Sequence, residues 1–212
     1  MAIDLSAYRS LSSLCKEKGA TLVAVSKTKP VEDILELYNA GQRDFGENYV
    51  QELVEKQGQL PADIRWHFIG HLQSNKVKQI IPFVHLIHGV DGLRLLQEIN
   101  KQAGKISKQQ VVLLQVHIAS EDTKFGMDEA ELEEAITATA TLPWVQVKGL
   151  MGMASFTDDQ QQVREEFRRL QTLARRWFPG GILSMGMSGD YTIALEEGSN
   201  LLRIGSMLFG AR

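Results

Sequence analysis

The sequence is poor in cysteine: Cys15 is the only one in 212 residues. A lone thiol excludes an intramolecular disulfide and fits a reducing compartment. Long apolar runs are missing as well. Nothing approaches the ~18 uninterrupted apolar residues that a membrane-spanning helix needs, and the opening MAIDLSAYRS lacks the apolar core of a signal peptide. A cytoplasmic protein is expected. Basic clusters are absent too. The formal net charge is -3, with no Lys/Arg-dense window, so neither nucleic acid nor a membrane surface is an expected partner. No linker, low-complexity tract, compositional shift or sequence-level repeat divides the chain, which is expected to form a single domain over 1–212.

What is present is an ordinary soluble balance, 43% hydrophobic and 23% charged residues, and a regular alternation of patterns. From Asp4 to Lys18, Leu5, Tyr8, Leu11, Leu14 and Cys15 recur at helical spacing. Apolar runs that read as strands follow at 21–26, 44–45, 66–69, 84–87, 111–116, 145–150, 182–184 and 201–204. Helical patterns separate them at 31–40, 47–58, 73–81, 91–104, 128–141, 158–178 and about 189–197. Strands separated by helices imply parallel pairing, and eight such units can close into a (β/α)8 TIM barrel without exposed edges. The chain ends eight residues after the last strand, too soon for a final helix, and the N-terminal helix is expected to fill that gap on the outer ring. A doubly wound open sheet is the alternative, because strand order is not visible in the pattern.

The first strand, TLVAV, runs directly into Ser26-Lys27-Thr28-Lys29-Pro30. In such a barrel the reactive face lies at the carboxyl ends of the strands. A lysine there, after four apolar residues, is partly desolvated, which favours its neutral amine and makes it a better nucleophile toward an aldehyde. A solvated loop lysine is the plain alternative, and it is the reading for Lys29. At the other end of the chain, SMGMSGD (184–190) and RIGSMLFGAR (203–212) place Gly and Ser at the exits of strands seven and eight. Barrels commonly hold phosphate there on backbone N–H groups. Ser188 and Gly189, with Gly205 and Ser206, are the candidate cradle. Arg203 lies within the last strand and needs a fixed acceptor: a core acid, a phosphate or a ring nitrogen.

Lysine, phosphate cradle and arginine together describe a pocket for pyridoxal 5'-phosphate. The motifs VAVSKTKP (23–30), FGENYVQE (45–52), WHFIGHLQSNK (66–76), KFGM (124–127), GLMGMAS (149–155), SMGMSGD (184–190) and RIGSMLFGAR (203–212) resemble, in order, those of the pyridoxal phosphate homeostasis protein family, also called the YggS or PROSC family. The resemblance implies the barrel of the alanine racemase N-terminal domain. It implies that Lys27 holds the cofactor as a Schiff base, that Ser188, Gly205 and Ser206 bind its phosphate, and that Arg203 faces its pyridine nitrogen. It also suggests that Asn48 points into the pocket, although Asn48 also reads as a helix cap. Ser206 departs from the threonine expected there and keeps the hydroxyl. The function implied is storage, buffering or delivery of the cofactor without catalytic turnover, with apoenzymes that use it as possible partners.

Two other classes compete: a racemase or decarboxylase, and a Schiff-base aldolase. A racemase needs proton-transfer groups on both faces of the ring; beyond Lys27 only Tyr49 and Tyr191 offer themselves, and both read as helix residues. Racemases of this kind also append a β-rich domain absent from these 212 residues, from which a monomer is expected. An aldolase would need a deeper lysine on a later strand. His67 and His71 invite a metal reading, but they lie on a strand and turn with no third ligand at suitable spacing, so no metal is expected. Met151, Met153, Met185 and Met187 read as core with a possible share in the pocket wall, and Lys124 as a loop charge near the mouth. The run from Arg164 to Arg176 reads as a charged helix face opposite Phe167, Leu170, Leu173 and Trp177.

Overall fold

A computed structural model describes residues 3–121 and 125–210. Its strands are β1 (Thr21–Val25), β2 (Asp44–Glu47), β3 (Arg65–Phe68), β4 (Leu86–Val90), β5 (Gln110–Gln115), β6 (Val145–Met151), β7 (Ile182–Ser184) and β8 (Leu201–Ile204). They pair in sequence order, all parallel, and β1 pairs with β8 to close the barrel. The open-sheet alternative is thereby excluded. Around the strands lie α1 (Leu5–Glu17), α2 (Val31–Asn39), α3 (Val50–Gln57), α4 (Val77–Ile80), α5 (Leu93–Gly104), α6 (Glu129–Ala138), α7 (Gln160–Trp177), α8 (Tyr191–Glu196) and the one-turn α9 (Ser206–Phe209). Among the described residues no helix is long and apolar enough to cross a membrane.

Several boundaries differ from the sequence pattern, and three of the differences have a clear local reason. The helix expected from residue 47 begins at Val50, because Gly46 and Glu47 stay in β2 opposite His67 and Phe68. The strand expected at 84–87 lies at Leu86–Val90, because the Val84 N–H is taken by Ile80 O (2.8 Å) at the end of α4. After the last strand Ser206–Phe209 form a one-turn helix that the pattern did not show: Leu208 and Phe209 bury their side chains, and Leu208 O accepts the Asp4 N–H (3.0 Å). That bond ties α9 to the start of α1. As expected, α1 covers this seam, burying Tyr8, Leu11 and Cys15, with Asp4 capping its N-terminus.

The period of two along each strand sorts side chains into two compartments. Leu22, Ala24, Phe45, Trp66, Phe68, Ile87, Leu114, Leu150 and Leu202 face outward into the large core beneath the helices. A smaller cluster of Val23, Leu86, Leu113, Met151 and Leu201 forms separately from it. Lys27 falls two residues beyond Val25 and four beyond Val23, so it inherits the inward face at the barrel mouth. Ser26 falls on the outward face. Two glycines make close approaches near the mouth. A Cβ on Gly70 would lie 2.3 Å from Asn48 O, so only glycine lets the exits of β2 and β3 meet there. Gly186 has φ 97° and would clash with Ala194; its carbonyl accepts the Arg203 N–H (3.0 Å) and locks the β7 exit to β8.

Candidate functional site

At the carboxyl ends of the strands lies a cavity of about 800 Å³. Lys27, Asn48, Ser188, Arg203, Gly205 and Ser206, drawn from the β1, β2, β7 and β8 segments, all line it. Gly189 lines it as well, so every residue proposed from the sequence for the amine, ring and phosphate positions meets in one space. Lys124 lies outside the described residues.

Lys27 rides on a turn closed by the Lys29 N–H to Ser26 O bond (3.1 Å), in which Thr28 has φ 63°. A β-branched residue in the left-handed region is strained and must be held by its surroundings. The holding groups are on α3. Glu52 accepts the Thr28 N–H (2.8 Å), and the Lys56 ammonium donates to Ser26 O (2.9 Å), to Glu47 (2.8 Å) and to Glu52 (3.0 Å). Ser26 Oγ also donates to Glu47 Oε1 (2.6 Å). Glu47 is fully buried, and burial raises its carboxyl above the usual range although the Lys56 charge opposes the shift. Lys29 is not the solvated charge expected of it: it lines the cavity and donates to Phe209 O (2.8 Å).

Asn48 does not cap α3, since Tyr49 holds that position without a side-chain bond. Its Oδ1 is buried and has no partner, the state of a polar atom waiting for a ligand. In the facing loops, the N–H groups of Ser188, Gly189 and Ser206 donate to no protein group among the described residues. Their neighbourhood is small and open: a Cβ on Gly189 would touch nothing within 4 Å. A phosphoryl group therefore meets free backbone donors here.

Arg203 is buried at the base of the cavity. A hydroxyl and a carbonyl hold it rather than a core acid: Nη1 donates to Ser184 Oγ (2.6 Å) and Nη2 to Gly152 O (3.0 Å). Burial brings its pKa down to about 10, partly offset by the Asp190 charge, which leaves it a cation at neutral pH. Met153 and Met187 line the wall, whereas Met151 and Met185 are fully packed in the core. Tyr49 and Tyr191 do not line the cavity.

The sequence reading passed over several groups. The charged face of α7 is not simply solvated. Arg164 lines the cavity and pairs with Glu196, the last residue of α8, and with Glu197 just after it, which Arg168 also holds. Glu166 is buried and accepts both the N–H and the hydroxyl of Ser155 (2.6 Å each), pinning the β6 exit. His67 is a satisfied core histidine, bonded to Asp44 and to His88, and His71 bonds Asp91. No cluster of potential metal ligands occurs among the described residues.

A closed barrel with a lysine at the first strand exit, an arginine on the last strand and glycine-serine loops between them defines the class to which the comparisons point. The family model described as "Alanine racemase, N-terminal domain" matches residues 4–212. A pyridoxal phosphate homeostasis protein of Aquifex aeolicus is 43% identical over 202 residues, covering 92% of this chain and 89% of its own. The protein of that name in Vibrio alginolyticus is 44% identical over 200 residues, covering 90% and 86%. PipY of Synechococcus elongatus, solved with pyridoxal phosphate bound, superposes with a TM-score of 0.86 at 35% identity, over 96% of this chain and all of its own. The chain belongs to the alanine racemase N-terminal domain family and, within it, to the pyridoxal phosphate homeostasis proteins.

Proposed function

We propose that the protein binds pyridoxal 5'-phosphate and serves its homeostasis, by storing, buffering or delivering it, and is not an enzyme. The carrying observation is the convergence of Lys27, Asn48, Ser188, Arg203, Gly205 and Ser206 on one cavity. The bound group supplies an aldehyde that an amine takes up reversibly and a ring that withdraws electrons. Lys27 is the amine, placed by its strained turn and holding the cofactor as a Schiff base. Ser188, Gly205 and Ser206, with the Gly189 N–H, grip the phosphate; the orphaned Asn48 amide faces the ring side.

Arg203, a cation and a donor only, directs hydrogen bonds at the pyridine nitrogen and so keeps that nitrogen unprotonated. An unprotonated ring is a weak electron sink, which suits a holder better than a racemase. The homologues' name and this chain's likeness to PipY support this reading. All site residues come from one chain, in line with a monomer. The buried Cys15 thiol accords with a reducing cytoplasm. Apoenzymes are the proposed recipients, and they would meet the open mouth, where Phe156 is 98% exposed.

Purified protein mixed with pyridoxal 5'-phosphate should turn yellow, with an imine absorbance that borohydride abolishes while adding the reduced cofactor's mass at Lys27. Lys27→Ala should lose that absorbance and retain weaker, phosphate-anchored binding. Unchanged absorbance in that variant would move the linkage to another amine. Rapid exchange of an amino acid's α-hydrogen would overturn the non-enzymatic reading.

A further inference from the structure

Behind Arg203, a continuous row of polar side chains runs down the inside of the barrel to its opposite end. Ser184 Oγ, which accepts from Arg203, is 2.9 Å from His88 Nδ1; His88 Nε2 is 2.9 Å from His67 Nδ1; His67 Nε2 is 3.0 Å from Asp44 Oδ1. Asp44 then pairs with Arg65 (Nε to Oδ1, 2.7 Å). Asp44 and Arg65 are the first residues of β2 and β3, so the row ends on the amino face of the barrel, where the Arg65 side chain is 49% exposed. His67, His88, Ser184 and Arg203 are all buried. An aliphatic interior would cost far less than five buried polar groups, each of which must be satisfied.

Chemistry fixes the direction of every bond in this row. Arg203 can only donate, and an ionised Asp44 can only accept. With neutral imidazoles, the Ser184 hydroxyl donates to His88 Nδ1, which puts the His88 proton on Nε2. That proton is donated to His67 Nδ1, which puts the His67 proton on Nε2, aimed at Asp44. Each link then has one donor and one acceptor. Reversing the row would leave the His67 Nε2 lone pair against the Asp44 carboxylate unless His67 took up an extra proton. Burial above all, with the Arg203 cation nearby, pushes the His88 pKa well below its ordinary value, which keeps it neutral.

We propose that Asp44, His67, His88 and Ser184 are positioning residues for the cofactor ring: a one-directional hydrogen-bond relay that orients Arg203 from the far end of the barrel. The inference rests on the cofactor reading for what Arg203 faces, whereas the relay belongs to the protein alone. Ser184 uses its hydroxyl hydrogen on His88 and so presents only lone pairs to Arg203. The guanidinium is held by one N–H on each terminal nitrogen, and its plane is fixed toward the cavity. The charged and titratable groups that face the imidazoles are Asp44 from β2, Arg65 from β3, the imidazole of His85 from the turn before β4 and Arg203 from β8.

The test has two parts. In the ligand-free protein at pH 8, ¹⁵N NMR of the histidines should find both His67 and His88 protonated at Nε2 and bare at Nδ1; an Nδ1–H tautomer on either ring overturns the relay. Pyridoxal 5'-phosphate is then titrated into Ser184→Ala, Ser184→Thr and Asp44→Asn. Ser184→Ala should weaken binding about tenfold and displace the imine absorbance maximum. Ser184→Thr, which keeps the hydroxyl, should restore both, and Asp44→Asn should shift them in the direction of Ser184→Ala. Wild-type affinity and spectrum in a folded Ser184→Ala would sink the proposal while leaving the cofactor reading intact. No imine absorbance in the wild type would sink the cofactor reading, and the NMR tautomers would still decide the relay. Should Ser184→Ala fail to fold, Asp44→Asn carries the same comparison: a wild-type spectrum there overturns the relay.

Discussion

Asp44 is buried, and burial alone would raise its carboxyl pKa. The hydrogen bonds from His67 and Arg65 outweigh that and bring it down to about 2 from an ordinary 3.8. A carboxyl whose folded pKa is depressed stabilises the protein fully above its unfolded value and ceases to do so as pH falls through the folded value. Asp44 should therefore contribute about 2 kcal/mol at neutral pH, lost between about pH 4 and pH 2. Urea unfolding of the wild type and Asp44→Asn across that window should converge as pH falls; parallel curves would remove Asp44 from the acid transition. Cys15 is the opposite case, a lone ionisable group with nothing to favour its charge. Its thiol is buried under α1 and pushed up to about 11 by desolvation. An aromatic disulfide reagent at pH 8 should leave it unmodified in the folded protein and titrate it fully in urea. Reaction at the folded-state rate of a free thiol would mean that α1 opens readily.

The turn carrying Lys27 and the helix that braces it form one unit. Lys56 bridges Ser26 O, Glu47 and Glu52, and removing it leaves Glu47 buried with its charge uncompensated. Breaking one side of such a pair costs about 3 kcal/mol, while removing both sides costs much less. Lys56→Met should lower stability by about that amount in urea unfolding and slow imine formation at Lys27, because the strained Thr28 turn loses its brace. Glu47→Gln with Lys56→Met should recover most of the stability; equal loss in the double variant would show that the ammonium acts on the turn alone. The contrast between this unit and the lysine it serves explains what could be read from the sequence. Lys27, Ser188, Arg203, Gly205 and Ser206 each lie within a few residues of an apolar run, so finding the strands placed them at the mouth. Glu47 and Lys56 meet only once β2 and α3 have packed, and a buried Lys56 looks from its neighbours like any surface helix lysine. His67 was legible as a core residue, but its partner His88 lies 21 residues away and Ser184 a further 96. Period-two alternation tells which residues turn inward and not which of them share a level, because that depends on the stagger of strands around the closed ring.

Closure determines whether these pieces act together. The amine sits at the exit of β1 and the phosphate loops at the exits of β7 and β8, the two ends of the chain's order, and they become neighbours only because β1 pairs with β8. That pairing sets Val23 opposite Arg203 and Ala24 opposite Ile204, four matched positions in all from Thr21 to Ala24. The same seam is covered on the outside by α1, whose Asp4 N–H bonds Leu208 O, so sequence ends 204 residues apart are fastened together twice. In an open sheet the terminal strands would be edges, with half their backbone groups exposed to water and low local stability. In a closed barrel they have none, and opening the seam requires the whole ring to give way. Amide hydrogen exchange should accordingly find the N–H groups of Val23, Ala24, Leu202 and Arg203 protected to the same degree as those of Val112 and Leu114 in β5. Their exchange should require global unfolding, with the same urea dependence. If the seam amides instead exchanged through a separate, low-energy opening, the two halves of the site would part on that timescale, and Lys27 would be held to the phosphate loops by the ligand rather than by the fold.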